Sequence, residues 1–455
     1  MKSNSSYQSF LDSISVIIIL SISLFARIWN LQTPETVVFD EHRYGQYINC
    51  YCNGSFFFDT QPPFGKIMLY QLAKFYKYQC DYDFQRTNSK KQQTSSFVPI
   101  RYGVCFISSF CAPIIFSVLR ICGVSRLPSF VTGLMIALDS SLIVESRYII
   151  PDGILLTLIA IHLFMLSAGF ESYTPLFSGL TLGLCISTKF TAFALIPFSI
   201  FVALKKLQPF NMKGIIIMLV TAFIIFDLIT VLHMSFLPDS TDDVDEYLPV
   251  SLQQHLFLER DPGRFITDAI FLSLRMLRVG LSNKRFDPYQ SNPISWPLLT
   301  GIWVRGWDRS NNRLIVLMGN PVVYYISFAS VIILMIRFRK LTRNVASYAC
   351  VGYILSYLPY FLTKRTLFLS DYQIPLMFAI ISFAPTIDRI LYSQRRRNFI
   401  CFIIILLVFF TYNYYSPFIY GTYLPNLEKR ITNSVWAKGS KKHRQLLDDF
   451  LGLDM

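Results

Sequence analysis

Long apolar runs dominate the chain, and short polar stretches separate them. A helix that crosses a bilayer needs roughly 17–25 mostly apolar residues. Runs of that kind cover about 13–30, 97–120, 128–145, 147–168, 213–235, 315–337, 345–363, 372–390 and 398–418. The stretch 175–204 is too long for one ordinary span and is broken by "STKF", so it predicts two short spans meeting at Lys189. The pattern predicts an all-α polytopic membrane protein with about eleven transmembrane helices. Two further segments, "FFFDTQPPFGKIMLYQLAKFY" and "RFITDAIFLSLRMLRVGL", place apolar positions at helical spacing with basic residues between them. They predict interfacial helices lying on the bilayer. Ordinary packed loop helices are the alternative.

Composition agrees with a membrane class. The 455 residues are 53% hydrophobic and 15% charged, against about 25% charged in soluble domains. A net charge of +14 raises the question of nucleic acid. The basic residues, however, sit in short clusters between apolar runs, where a bilayer explains them better. One set of alternate loops holds Arg120 and Arg126; Lys205, Lys206 and Lys213; Arg337, Arg339 and Lys340; and Arg395, Arg396 and Arg397. By the positive-inside rule these loops are cytosolic. Residues 31–96 and 236–314 then fall on the opposite, lumenal side. An odd span count puts the N-terminus in the cytosol and the C-terminus in the lumen, although the tail "KRITNSVWAKGSKKHR" is basic and counts against this.

The expected organisation follows. Residues 1–12 form a cytosolic tail. Residues 13–235 form an N-terminal transmembrane module that includes the lumenal loop 31–96. Residues 236–314 form a second lumenal loop with an interfacial helix, 315–418 the C-terminal spans and 419–455 a lumenal tail. The polar start "MKSNSSYQSFLDSIS" and the lack of a small-residue cleavage site predict a retained first span. Cys50, Cys52 and Cys80 share one polar loop, where two of the three can pair in an oxidising lumen; free thiols are the alternative. "NGS" at Asn53 is an N-glycosylation sequon on that side.

Ionisable groups near membrane depth are costly and point to function. Asp40, Glu41, Lys66, Arg101, Arg147, Asp152, Lys189, Lys364 and Arg365 all map near the lumenal face, with Glu145 and Asp139 as weaker members. Any one of them is explained by a snorkelling or helix-end charge. The set is better explained by a shared polar cavity. Acids and cations together at one membrane face suit a lipid-linked sugar phosphate. The cations would hold the phosphate, and a carboxylate would take the proton of an attacking hydroxyl. A transporter is the competing class. It needs charges spread across the membrane, and the mid-membrane stretches hold few.

Several segments, in order from the first span to about residue 390, carry a family likeness. "VVFDEHRYGQY" holds an acidic pair followed by an aromatic and Gly; "FFFDTQPPFGKIMLY" is similar to "FD-x-HPP-x-GK". "ALDSSLIVESRYIIPDGILL" carries "SR" and then Asp, and "GLTLGLCISTKFTA" is similar to "G-x-S-x-G…S-x-K". "DPYQSNPISWPLL", "LMGNPVVYY" and "YLPYFLTKRTLFLSDYQIPLMFA" match later segments. The chain resembles the protein O-mannosyltransferases, polytopic enzymes of the endoplasmic reticulum with a GT-C type glycosyltransferase fold. The resemblance implies inverting transfer of mannose from dolichyl phosphate mannose to Ser/Thr hydroxyls of secretory proteins on the lumenal side. It implies Asp40 as the general base and Glu41 as its partner in shaping the acceptor site. Lys66, Arg101, Arg147, Lys189 and Arg365 are expected at the phosphate or in site architecture. Asp152 is expected to be structural and to pair Arg147. Trp296, Pro297, Asn320 and Pro321 are expected to be structural.

No cofactor and no metal are expected, dolichyl phosphate mannose being the donor substrate. The implied partners are Ser/Thr-rich acceptor polypeptides, membrane lipid and a family member in a homo- or heterodimer, with no nucleic acid. The chain departs from the family pattern where Gln61, Asp287, Ser370 and Asp371 stand at positions usually held by His. Residues 236–314 are also too few for the β-trefoil MIR domain that most eukaryotic relatives carry there. A non-catalytic partner subunit is therefore a further alternative.

Overall fold

The computed structural model describes residues 2–38, 40–84, 97–168, 173–205, 210–259, 261–282, 284, 290–299, 303–308, 313–337 and 345–423. Asp287, Lys206, residues 338–340 and the tail after 423 lie outside the described residues.

Helices form along most of the apolar runs, but residues 315–317 of the run 315–337 lie in a strand. The N-terminal half contains α1 (Lys2–Ile28), α2 (Glu41–Asn53), α3 (Phe64–Phe75), α4 (Val98–Ser109) and α5 (Cys111–Ile121). It continues with α6 (Arg126–Leu138), α7 (Ser140–Glu145), α8 (Asp152–Ser167), α9 (Thr174–Ile186), α10 (Leu195–Lys205) and α11 (Met212–Phe236). The second large loop supplies α12 (Asp242–Tyr247), α13 (Val250–Gln253) and α14 (Phe265–Ser282). A hairpin of β1 (Trp303–Asp308) and β2 (Arg313–Leu317) follows, then α15 (Pro321–Ile336), α16 (Val345–Tyr357), α17 (Gln373–Ile390) and α18 (Gln394–Tyr420). The hairpin is an addition to an otherwise helical chain.

Gln8–Ile28, Val98–Ile121, Met212–Phe236 and Gln394–Tyr420 have the length and apolar character to cross a bilayer. The remaining apolar helices are shorter because polar breaks interrupt their runs. Asp139 stops α6 and caps α7, accepting from the Leu142 N–H at 3.0 Å. The run at 174–205 breaks at Lys189, which sits between α9 and a 3-10 turn at Phe190–Ala194. Small residues let helices approach closely. A Cβ on Gly179 would lie 2.5 Å from the Met218 carbonyl oxygen, so α9 and α11 pack almost backbone to backbone.

Two of the basic loops meet at one end of the helices, and the lumenal loops expected from the sequence gather at another. At one end Asp12 meets Arg120 at 3.1 Å and Arg126 at 2.6 Å, and Asp388 meets Arg397 at 3.3 Å. The Ser125 N–H also donates to Asp388, at 2.7 Å. At the other end α18 finishes where α1 exits. The Tyr420 hydroxyl donates to the Ala26 carbonyl at 2.7 Å, and its ring lies 4.7 Å from that of Trp29. The first large loop lies at this same end and docks on the second. The Phe56 N–H donates to the Asp239 carbonyl at 2.7 Å, and Tyr47, Tyr51, Phe56 and Phe57 share one core with Val244, Leu248 and Leu272. The Cys52–Cys80 disulfide ties the end of α2 to the chain beyond α3, and Cys50 stays outside it. α14 buries Ala269, Leu272 and Met276 and exposes Ile266, Ile270, Phe271 and Leu274, the partition of a surface helix with apolar sides on two faces.

Candidate active site

Asp40 and Glu41 are adjacent in sequence and opposite in environment. Successive helical residues are rotated by about 100°, and α2 begins between them. Asp40 is the N-cap of α2; its backbone carbonyl accepts from the Arg43 and Tyr44 N–H groups, each at 3.0 Å. Its carboxylate is exposed and caps no backbone N–H. Glu41 is fully buried. Its carboxylate takes Arg101 Nε at 2.8 Å and Arg101 Nη2 at 2.6 Å, a bidentate pair. It also accepts from the Val38 N–H at 2.8 Å and the Ile149 N–H at 3.0 Å. Arg101 further donates to the carbonyls of Pro34 at 2.8 Å and Thr36 at 2.9 Å, so the pair staples the chain before α2 to α4.

Asp59 organises the next segment. It is buried and receives Arg43 Nη2 at 2.7 Å, Lys66 Nζ at 2.6 Å and the Thr60 N–H at 2.8 Å. Burial pushes its carboxyl up, but Lys66 and Arg43 outweigh burial and hold it below the ordinary carboxylate value. Lys66 also donates to the Gln61 carbonyl at 2.7 Å. The Gln61 side chain accepts from the Phe190 N–H at 3.2 Å, which fastens the first loop to the break between α9 and α10. Gly65 lets this segment sit against Pro151, since a Cβ there would lie 2.5 Å from Pro151 Cβ.

Across that contact Lys189 Nζ binds both Asp152 oxygens, at 2.7 and 2.8 Å. Lys189 lies within electrostatic range of Glu145, Asp371 and Lys66. Arg365 pairs with Asp371, whose other oxygen accepts from the Phe368 N–H at 3.0 Å. Arg365 lines a cleft of about 510 Å³ together with Gln290, Asn292 and Tyr360. Tyr360 is within electrostatic range of Arg365, Asp371, Lys189 and Asp152, and Tyr44 is within range of Asp40, Asp59 and Asp152. The charges therefore form one continuous array along one end of the helices.

One expectation requires correction. Asp152 pairs Lys189, not Arg147. Arg147 instead donates to the carbonyls of Arg27 and Trp29, each at 2.7 Å, and of Asn30 at 3.2 Å, and its guanidinium stacks 4.5 Å from the Tyr420 ring. It caps the carbonyl end of α1. Glu41, expected to help shape the acceptor site, is enclosed by Arg101 and two backbone N–H groups. Among the five expected cations, Lys66, Arg101 and Arg147 are buried and held by protein groups. Lys189 and Arg365 keep 20% and 22% of their side chains exposed.

The structural positions are filled as follows. Trp296 is buried, donates to Ser291 Oγ at 2.7 Å and packs on Tyr360, and Pro297 is buried beside it. The Asn320 side chain accepts from the Val322 N–H at 3.1 Å and starts α15, and Pro321 takes the first helical position. Asp59 and Tyr44 were not singled out from the sequence, and Arg43 carried no assigned role there. The available signal was Asp59 itself, a lone acid following three Phe in "FFFDTQPPFGK". Among the described residues no group of three or more His, Cys, Asp or Glu is arranged to hold a metal.

Residues 17–237 match the family described as dolichyl-phosphate-mannose-protein mannosyltransferase, and residues 265–439 match the C-terminal four-TMM region of protein-O-mannosyltransferase. The chain belongs to the protein O-mannosyltransferase family. It is 30% identical over 191 residues to dolichyl-phosphate-mannose--protein mannosyltransferase 4 of Schizosaccharomyces pombe, covering 40% of this chain and 25% of that protein. It is 34% identical over 130 residues to protein O-mannosyltransferase 1 of Drosophila melanogaster, covering 29% and 15% respectively. The matched stretches thus span a quarter or less of these relatives' lengths. In fold, the chain is similar to a chain of the Saccharomyces cerevisiae protein O-mannosyltransferase Pmt1-Pmt2 complex bound to the sugar donor. That match has a TM-score of 0.81 at 15% identity and covers 94% of this chain and 92% of the other. An Archaeoglobus fulgidus oligosaccharyltransferase matches with a TM-score of 0.53 at 13% identity, over 98% of this chain and 60% of that one. This protein O-mannosyltransferase family member thus has the GT-C fold.

Proposed function

We propose that the protein transfers mannose from dolichyl phosphate mannose to Ser/Thr hydroxyls of secretory-pathway proteins, with inversion at the sugar carbon. Its active site would face the lumen of the endoplasmic reticulum. The observation that carries this reading is the exposed Asp40 carboxylate, held at the edge of a charged array by the rigid Glu41–Arg101 staple. In the proposed reaction the acceptor oxygen bonds to the anomeric carbon from the face opposite the phosphate. The carbon–oxygen bond to phosphate breaks, dolichyl phosphate leaves, and the acceptor proton passes to Asp40. A carboxylate cannot ionise an alcohol beforehand, but it can take the proton as the bond forms, which is worth roughly 10²–10⁴-fold. A single displacement needs one base, and Glu41 is unavailable as a second.

Lys189 and Arg365 are the cations best suited to the donor phosphate, since both retain exposure and Arg365 lines the cleft. Lys66, Arg101, Arg147 and Asp59 act by holding the loops in register. A family member as dimer partner fits this reading, as does a bilayer-embedded donor. The test is mannose transfer by the purified protein, alone and with any sibling subunit, to a Ser/Thr-rich peptide. Wild type is expected to transfer and Asp40→Asn to fail. If the wild type is inactive in both states while an authentic family enzyme is active, a non-catalytic subunit is the better description.

A further inference from the structure

The second large loop builds a groove that the proposed transfer chemistry does not use. It lies between α14 and the segment made of α13 and the turn Gln254–Glu259, and its volume is about 450 Å³. Arg264, Arg275 and Arg278 line it, with Leu252, Phe271 and Leu274 as its apolar part. The core shared by Tyr47, Phe57, Val244 and Leu272 joins this loop to the one that carries Asp40.

The groove also holds a built polar feature. Asp268 lines it, is 3% exposed, and its Oδ2 has no hydrogen-bond partner. Its Oδ1 lies 3.5 Å from His255 Nδ1, and Arg264 Nη1 donates to His255 Nε2 at 2.6 Å. That donation leaves the imidazole proton on Nδ1, facing Asp268. Arg275 Nε donates to the Tyr247 carbonyl at 2.7 Å, which fixes the guanidinium at the groove wall. A buried carboxylate oxygen without a partner calls for a donor. The arginines beside it call for an anion, and the guanidinium fork suits phosphate.

Position selects the source of that anion. α14 packs along α11, with Ser273 Oγ 3.3 Å from Thr230 Oγ1. Thr230 lies about 9 Å along the helix from the end of α11 at Phe236, at 1.5 Å per residue. α14 therefore packs on the last turns of a helix long enough to cross a bilayer, near the membrane–water boundary. Ile266, Ile270, Phe271, Leu274 and Leu281 are exposed along it, the surface of a helix set among acyl chains.

We propose that this groove binds an anionic glycerophospholipid of the surrounding bilayer whose headgroup carries hydroxyls. The phosphate lies against Arg275 and Arg278, and a headgroup hydroxyl donates to Asp268 Oδ2. The acyl chains follow the exposed apolar residues of α14. This site is independent of the proposed mannosyl transfer.

Native mass spectrometry of the purified full-length protein, offered equimolar phosphatidylinositol, phosphatidic acid and phosphatidylcholine, tests it. The wild type is expected to retain phosphatidylinositol about 10-fold over phosphatidylcholine, a difference of about 1.4 kcal/mol. Arg275→Ala with Arg278→Ala should bring the two to parity. Asp268→Ala should abolish the preference for phosphatidylinositol over phosphatidic acid while both still exceed phosphatidylcholine. Equal retention of phosphatidylinositol and phosphatidylcholine by the wild type overturns the proposal without any variant. So does a preference that survives loss of both arginines. Displacement of the lipid by millimolar inositol phosphate would show that a soluble anion is the ligand and would also overturn it.

Discussion

Two layers of charge lie at the same end of this protein and are built on opposite plans. The inner layer is Glu41, Arg101, Arg147, Asp59 and Lys66, all buried and held by protein partners. The outer layer is Asp40, Lys189 and Arg365. There Asp40 is exposed, and the two cations keep about a fifth of their side chains open. The inner layer repays the cost of burying charge only because its partners are nearly complete. The outer layer keeps capacity for a substrate. Charge near a membrane therefore marks a site in two senses, and exposure separates the groups left open from the groups enclosed by protein partners.

The sharpest way to break this comparison is to unpair the inner layer. Arg101→Ala leaves Glu41 buried without its cation, which should cost about 3–5 kcal/mol. It should appear as a large fall in the unfolding temperature of the purified protein, with activity lost through misfolding. Cys52→Ser opens a loop with a sequence separation of 28 and should cost about 3–4 kcal/mol in the chain-entropy model. It is read as a fall in unfolding temperature and as faster proteolysis between α2 and α4. Arg365→Ala belongs to the outer layer. It should lower transfer by up to about 10²-fold with little change in unfolding temperature, and an equal fall in both would move Arg365 into the inner layer.

The subtlest readout concerns pH. Asp59 has a folded pKa below its unfolded one, so it stabilises the fold above the ordinary carboxylate value near 3.9. That stability is lost as pH falls through the lower folded value. Asp59→Asn should therefore lower the unfolding temperature at neutral pH, and the gap to wild type should shrink below about pH 4.

The spans were legible because their information is local. Most of the apolar runs became helices, including the pair that meets at Lys189, whereas the start of the run 315–337 became the strand β2 and the run 97–120 broke at Phe110. The basic clusters that alternate along the chain include two whose loops come together at one end. The layers were not legible. Asp152 is five residues from Arg147, yet Lys189 reaches it from another helix break, a contact that only tertiary packing creates. Asp40 and Glu41 look equivalent as neighbours, and the start of α2 between them turns one outward and the other inward. Gln61 and Asp371 depart from the expected His. Each makes a definite contact of its own, to the Phe190 N–H and to Arg365.

The most direct test measures mannose transfer and unfolding temperature on the same preparations of Asp40→Asn and Glu41→Gln. Asp40→Asn is expected to lose roughly 10²–10⁴-fold in transfer rate while its unfolding temperature stays at the wild-type value. Glu41→Gln is expected to lose unfolding temperature first. Wild-type transfer by Asp40→Asn, or a fall in its unfolding temperature as large as that of Glu41→Gln, would contradict the division between the two layers.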